Sequence, residues 1–149
     1  MAEKSEKSRE VQEKLILLQQ LKNEGDAVQK RILELEIAHS ELANTIESLE
    51  YFDSLDGGVE ALMNLGGGVF AYVDVKESKK MLVDIGAGVI VEKEVKDAIE
   101  TLNRRKQKMQ ETISKLENML DQIVTKAESI QRELIKLTGE GKDVQVTEG

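Results

Sequence analysis

Two glycine clusters are the residues of this chain whose type and spacing most resemble a chemical site. Gly66-Gly67-Gly68 and Gly86-Ala87-Gly88 could in principle wrap backbone N–H groups around a phosphate. A phosphate cradle needs a strand before the glycines and a helix N-terminus after them. Here a run of β-branched residues follows each cluster, beginning at Val69 and Val89. The pattern therefore favours tight turns between strands and argues against a nucleotide site.

Few other side chains could support catalysis or bind a metal. The chain has no cysteine, which excludes disulfides and thiolate sites, and one histidine, His39. His39 and Lys106 both fall on the apolar stripes of predicted helices, where a polar residue usually specifies register. A metal site or proton switch at His39 is the less favoured alternative. We predict that the chain is not an enzyme and uses no cofactor and no metal.

The charge balance narrows the classes of partner. The net charge is −8, and the one basic cluster, Arg104-Arg105-Lys106-Gln107-Lys108, is typical of a solvated helix face. Because nucleic acids bind clustered Lys and Arg, we predict no nucleic-acid partner. The N-terminal segment lacks the apolar core of a secretory signal, and no segment has about 18 consecutive apolar residues. We therefore predict no membrane association and a cytoplasmic location.

A heptad series predicts a long helix over residues 94–137. Its positions recur in steps of four and three, which keep one stripe of a helix against a partner helix. Twelve of the thirteen positions are apolar: Val95, Ile99, Leu102, Lys106, Met109, Ile113, Leu116, Leu120, Ile123, Ala127, Ile130, Leu134 and Leu137. So regular a series is typical of a coiled coil.

A similar series near the start of the chain predicts a first helix over residues 6–53. Its apolar stripe shifts phase between Leu18 and Leu21, and Gly25 falls on the stripe soon afterwards. An interior glycine weakens a helix by about 1 kcal/mol relative to alanine. We therefore expect an irregularity near residues 19–26.

The middle of the chain, residues 55–93, loses the helical period and contains seven of the eleven glycines. Short runs bounded by glycine predict four strands: Ala61–Leu65, Val69–Val75, Lys80–Ile85 and Val89–Lys93. Leu65-Gly66-Gly67-Gly68-Val69-Phe70 repeats twenty residues later as Ile85-Gly86-Ala87-Gly88-Val89-Ile90. Two such units predict two β-hairpins, with Gly66, Gly67, Gly68, Gly86 and Gly88 in the turns.

Helix, two hairpins, helix is an α+β architecture in which the chain reverses direction between the helices. The two helices should therefore pair as a long antiparallel coiled coil, with partner residue numbers that sum to about 148. Both hairpins then lie at one end of it. We predict a single domain over residues 1–149 with a flexible tail at 138–149.

Two apolar surfaces should remain exposed once this fold has formed. Two hairpins are marginal in water and leave unpaired strand edges, so we infer that other subunits add strands to them. At the opposite end of the coiled coil, Ile16, Leu17 and Leu18 are consecutive and cannot all face the seam. Leu134, Ile135 and Leu137 repeat this excess on the second helix. An exposed apolar patch of this kind often marks a binding surface; broader packing between the two helix ends is the alternative.

The doubled glycine-turn block, with Val91-Glu92-Lys93 leading directly into the second heptad helix, resembles the α-class subunits of prefoldin, most closely the archaeal ones. The resemblance covers roughly residues 8–138. The coiled-coil segments are shared by many proteins, whereas the doubled block is more specific. Two hairpins are typical of the α class, and the β class has one.

The resemblance implies a hexamer of two α and four β subunits, in which the hairpins join an intersubunit β-barrel. It implies an ATP-independent chaperone subunit that holds unfolded proteins at its coiled-coil tips and delivers them to a group II chaperonin. The assembly residues would be Leu65, Val69, Phe70, Val73, Val75, Val83, Ile85, Val89 and Val91. The client-binding residues would be Val11, Leu15, Ile16, Leu18, Leu134, Ile135 and Leu137. The alternative is a structural coiled-coil scaffold or filament subunit that binds no client.

Overall fold

The computed structural model describes residues 2–139 of the chain. It contains two long helices that flank four strands, in the order α1 (Ala2–Ser54), β1 (Val59–Gly66), β2 (Val69–Val75), β3 (Lys80–Gly86), β4 (Val89–Glu94) and α2 (Val95–Thr138). The α+β class and the helix, two hairpins, helix order are therefore as predicted. Of the predicted tail, Thr138 is the last residue of α2, Gly139 follows it, and 140–149 lie outside the described residues.

Helix α1 is continuous, so the expected irregularity near residues 19–26 is wrong. Gly25 lies inside the helix, where its missing side chain costs only about 1 kcal/mol. Leu21, the first residue after the phase shift, is buried and keeps 7% of its surface exposed. Packing of the shifted stripe thus supports the helix through the glycine, as tertiary contacts commonly override local propensity.

The two hairpins are antiparallel and share one design. In each, a two-residue turn with positive φ at both positions joins the strands, Gly67-Gly68 in the first and Ala87-Gly88 in the second. Such turns match the right-handed twist of the flanking strands. Just before each turn an Asx side chain accepts a backbone N–H: Asn64 from Gly66 and Asp84 from Gly86, both at 2.8 Å. The sequence repeat is therefore a structural repeat.

The chain divides into two compact units. The terminal unit comprises residues 1–36 and 112–149, of which 2–36 and 112–139 are described. Its most buried side chains are Leu21, Ile32, Leu35 and Ile113. Lys14 contacts Glu133, and the α-carbon of Gly25 faces Ile123 and Leu120. The two helix segments of this unit are thus antiparallel, and the partner numbers sum to 147 for Lys14 and Glu133 and to 148 for Gly25 and Ile123.

The hairpin unit comprises residues 37–111. Its core contains Ile46 of α1 together with Val95, Ala98 and Leu102 of α2. The linker between β2 and β3 joins both helices: the backbone N–H of Val95 donates to the carbonyl oxygen of Lys79 at 2.8 Å, and Lys79 Nζ donates to the carbonyl oxygen of Asp53. The hairpins are therefore tied to the helix ends. That the whole chain folds as one domain stays a prediction.

Candidate functional site

The terminal unit exposes three consecutive large apolar residues. Leu15, Ile16 and Leu17 keep 52%, 61% and 45% of their surface exposed. Successive residues of an α-helix are about 100° apart, so three in a row cannot share one contact face. We call Leu15, Ile16 and Leu17 the end run. The sequence prediction named Leu15 and Ile16 but did not include Leu17.

The other predicted end residues are half-buried and flank the end run. Val11 and Leu18 belong to α1, and Leu134, Ile135 and Leu137 belong to α2. The contact between Lys14 and Glu133 brings the two groups to the same end of the unit. The structure thus brings together every residue predicted to bind clients. Of the two residues that the packing alternative concerned, Ile135 is half-buried and Ile16 is exposed.

An ion pair crosses between the helices beside the end run. Lys14 Nζ donates to Glu133 Oε2 at 2.6 Å, and Glu10 lies 3.9 Å from the same ammonium. The hydrogen bond to Glu133 raises the pKa of Lys14, and the same bond lowers the pKa of the Glu133 carboxyl. Both groups are therefore charged at neutral pH, and the pair helps to fix the register of the two helices.

A groove of about 620 Å³ runs along one side of the terminal unit. Its apolar wall is formed by Leu15, Leu18, Leu21, Gly25, Leu120, Ile123, Val124 and Ala127. Its polar rim is formed by Gln19, Lys22, Asp26, Gln29, Glu128 and Gln131. Leu15 belongs to both the groove and the end run, so the two apolar surfaces are continuous.

The hairpin unit exposes a second apolar surface. In the first hairpin Leu62 and Tyr72 are directly paired and keep 60% and 87% of their surface exposed. In the second hairpin Leu82 and Ile90, which point to the same side as each other, keep 74% and 61%. So much exposed apolar area on two separate two-stranded sheets indicates an interaction surface.

The residues predicted to mediate assembly divide between the two faces of the hairpins. Leu65, Val69, Phe70, Ile85 and Val89, which lie near the turns, are exposed, whereas Val73, Val75, Val83 and Val91 are half-buried. By strand alternation Phe70 lies on the face opposite Val69, Val73 and Val75. Leu62, Tyr72, Leu82 and Ile90 were not in the prediction. Their strict two-residue alternation with the half-buried positions was the signal that could have identified them.

The polar residues considered in the sequence analysis lie within the hairpin unit. Arg104 pairs with Glu100 at 3.5 Å, and Arg105 donates to the carbonyl oxygen of Asp84, so the basic cluster contacts its own fold. His39 and Lys106 are half-buried on their helices. Among residues 2–139, no group of three or more His, Asp or Glu side chains is placed to hold a metal ion. Neither described helix contains an apolar stretch able to cross a membrane.

Known proteins share this architecture. The family model described as prefoldin subunit matches residues 21–140. The prefoldin subunit alpha of Archaeoglobus fulgidus is 57% identical over 126 residues, which span 85% of this chain and 92% of that protein. The prefoldin subunit alpha of Methanocorpusculum labreanum is 37% identical over 100 residues, which span 67% and 68%.

A solved structure extends the comparison to the fold. A chain of the filamentous PFD from Methanocaldococcus jannaschii, determined by cryo-EM, superposes with a TM-score of 0.69 and covers 78% of this chain and 96% of that chain. Its sequence identity of 18% means that this match supports the fold alone. The family model and the curated relatives carry the assignment: the chain belongs to the prefoldin family and is similar to archaeal alpha subunits of that family.

Proposed function

We propose that this chain is the alpha subunit of an ATP-independent holdase that captures unfolded proteins and passes them to a group II chaperonin. The observation that carries the proposal is the end run, three consecutive large apolar side chains exposed at the end of the terminal unit. Non-native proteins expose the apolar segments that such a surface can cover. The side chains of the end run are aliphatic, so their contacts do not require a particular client sequence.

Capture is multivalent in this mechanism. One end run offers a small area, so a single contact is weak. When several subunits share one body, the first contact raises the effective concentration of the next to roughly the millimolar range. Release needs no nucleotide, because a chaperonin that competes for the same client segments can displace the weak contacts one at a time.

The exposed face of the hairpins is the proposed assembly site. Leu62, Tyr72, Leu82 and Ile90 would be covered by strands of prefoldin β-class subunits, two α subunits assembling with four β. The half-buried Val73, Val75, Val83 and Val91 hold the hairpins in shape, while Leu65, Val69, Phe70, Ile85 and Val89 extend the contact toward the turns. A complex of this kind would act in the cytoplasm.

The test is a variant that makes the end run polar. Leu15→Ser, Ile16→Ser and Leu17→Ser together should lower suppression of aggregation of a chemically unfolded protein several-fold while leaving the native mass of the complex unchanged. Leu33→Ser with Ile37→Ser is the matched control, because these α1 residues are also exposed, at 51% and 62%. Equal loss in both variants would contradict capture by the end run.

A filament or scaffold subunit without clients is the second candidate. The observation that favours it is the exposed apolar face of the hairpins, which would serve equally to join copies of this chain to one another. The native mass of the complex recovered with this chain from its own cells separates the two. Two copies with four smaller coiled-coil subunits support the holdase, and an open-ended homopolymer supports the scaffold.

A further inference from the structure

The linker between α1 and β1 contains the one Asp-Gly step of the sequence, Asp56-Gly57. In such a step the amide nitrogen of the glycine can approach the preceding side-chain carboxyl closely, because glycine has no β-carbon to restrict the backbone. Both residues are exposed and lie outside the helices and strands. The linker therefore presents a carboxyl group, a neighbouring amide and access to water in one place.

The amide of Gly57 is not committed to the surrounding structure. The last backbone hydrogen bond of the helix end runs from the N–H of Leu55 to the carbonyl oxygen of Phe52, at 3.2 Å. Within residues 2–139, the N–H of Gly57 makes no backbone hydrogen bond. A β-carbon added at Gly57 would meet no atom within 4 Å, so the space around it is open. The nitrogen can therefore turn toward the carboxyl of Asp56.

The nearby Asp53 offers an internal comparison, because it is followed by a small residue but is restrained. The N–H of Ser54 belongs to the hydrogen-bonded ladder of α1. Lys79 Nζ donates to the carbonyl oxygen of Asp53 and lies 3.6 Å from its carboxylate Oδ1. Both the amide and the carboxyl at this step are thus held in place, unlike those of Asp56 and Gly57.

We propose that Asp56-Gly57 is a site of spontaneous succinimide formation and isomerisation to isoaspartate. The nitrogen of Gly57 forms a bond to the side-chain carboxyl carbon of Asp56. The bond from that carbon to its hydroxyl oxygen breaks, and the hydroxyl leaves with the amide proton as water. The product is a five-membered ring with two carbonyl groups.

Water from the solvent then opens the ring at either carbonyl. Addition at the former side-chain carbonyl breaks its bond to the Gly57 nitrogen and restores aspartate. Addition at the former backbone carbonyl breaks the other bond to nitrogen and gives isoaspartate, in which the main chain runs through the side chain of Asp56. One water is lost and one is gained, so no oxidant, reductant or change in mass is involved.

Isoaspartate lengthens the main chain by one methylene in a linker of four residues, 55–58. At one end of the linker, the N–H of Leu55 is bonded to the last turn of α1. At the other end, Gly58 lies so close to β2 that an added β-carbon would overlap the carbonyl oxygen of Val75. The extra length must therefore displace the first hairpin from the end of α1. Resting on the proposed assembly through the hairpins, we expect isomerised chains to leave the complex.

Peptide mapping of the aged complex tests the modification. After incubation at neutral pH and raised temperature, isoaspartate should accumulate at Asp56 several-fold faster than at Asp53. Gly57→Ala is the matched variant, because the position is open and its φ lies outside the left-handed region. It should slow isomerisation by at least about threefold, since alanine has less backbone freedom than glycine. Equal rates at Asp56 and Asp53, or no slowing in the variant, overturn the proposal.

Separation of the aged sample by size tests the consequence. Isoaspartate at position 56 should be enriched several-fold in free chains relative to chains that remain in the complex. Equal content in the two fractions overturns the loss of assembly, while the mapping result still supports the modification. If the unaged chain forms no complex with other subunits, the proposed function fails, and mapping of the chain alone decides the modification separately.

Discussion

At the scale of single residues, backbone conformation predicts that glycine is the more stabilising residue at position 87 and alanine the more stabilising residue at position 25. Ala87 adopts a φ of +52° in the turn between β3 and β4, a region that costs an L-residue about 1 to 2 kcal/mol. Gly25 lies in a regular helix, where an added β-carbon would make ordinary contacts with Ile123 and Leu120. Ala87→Gly and Gly25→Ala should therefore each raise the free energy of unfolding by about 0.5–1 kcal/mol.

Equilibrium unfolding in denaturant, measured on each variant in the same complex, checks this pair. Gly86→Ala is the control, because Gly86 has a φ of +121° and alanine there is strained. It should lower the free energy of unfolding. A destabilising Gly25→Ala would show that the small residue is needed in the seam, and an unchanged Ala87→Gly would show that the turn carries no strain.

At the scale of elements, the ion pair between Lys14 and Glu133 should hold the ends of α1 and α2 together between acidic and alkaline limits. The lowered pKa of Glu133 means that its contribution to the stability of the paired helix ends is present above the ordinary pKa of 4.5. This contribution is lost as the pH falls through the lowered pKa. The raised pKa of Lys14 means that its contribution is present below 10.5 and is lost as the pH rises through the raised value. At neutral pH both contributions are complete.

Amide hydrogen exchange of the two helix ends measures this effect locally. Lys14→Met and Glu133→Gln should each speed exchange relative to the unsubstituted chain at pH 7. The double variant should be little worse than either single one, because both remove the same contact. The difference should shrink in 1 M salt and at pH 3. Additive effects of the two substitutions would contradict a direct pairing.

The hairpin strands make a second prediction at this scale, because neighbouring residues face opposite sides. Leu82 is 74% exposed, whereas Val83 beside it is half-buried and pairs with Val91. Leu82→Lys should therefore break the oligomer while the helices stay folded, and Val83→Lys should damage both. Native mass and circular dichroism separate these outcomes. An unaltered native mass for Leu82→Lys would show that this face is free in the assembly.

At the scale of the whole molecule, the periods in the sequence predicted the fold, but they predicted the exposed apolar surfaces only in part. Heptads and glycine-bounded runs placed all six elements within a few residues, because each period reflects one backbone geometry. The continuous course of α1 through Gly25 was not predictable, since packing decided it. The outer face of the hairpins was not predictable either. Strand β2 has apolar residues on both faces, Val73 on one and Tyr72 on the other, and only packing within the hairpin unit decides which face is buried.

The last prediction concerns how many subunits must act together. If capture is multivalent, client affinity should fall faster than linearly as chains carrying the polar end run replace unsubstituted chains in mixed complexes. The physical reason is that each lost contact also removes the effective concentration that it gave to the others. Affinity is measured across complexes of defined composition, with the Leu33→Ser and Ile37→Ser chain as the replacement control. A linear fall would mean that each end run binds clients independently.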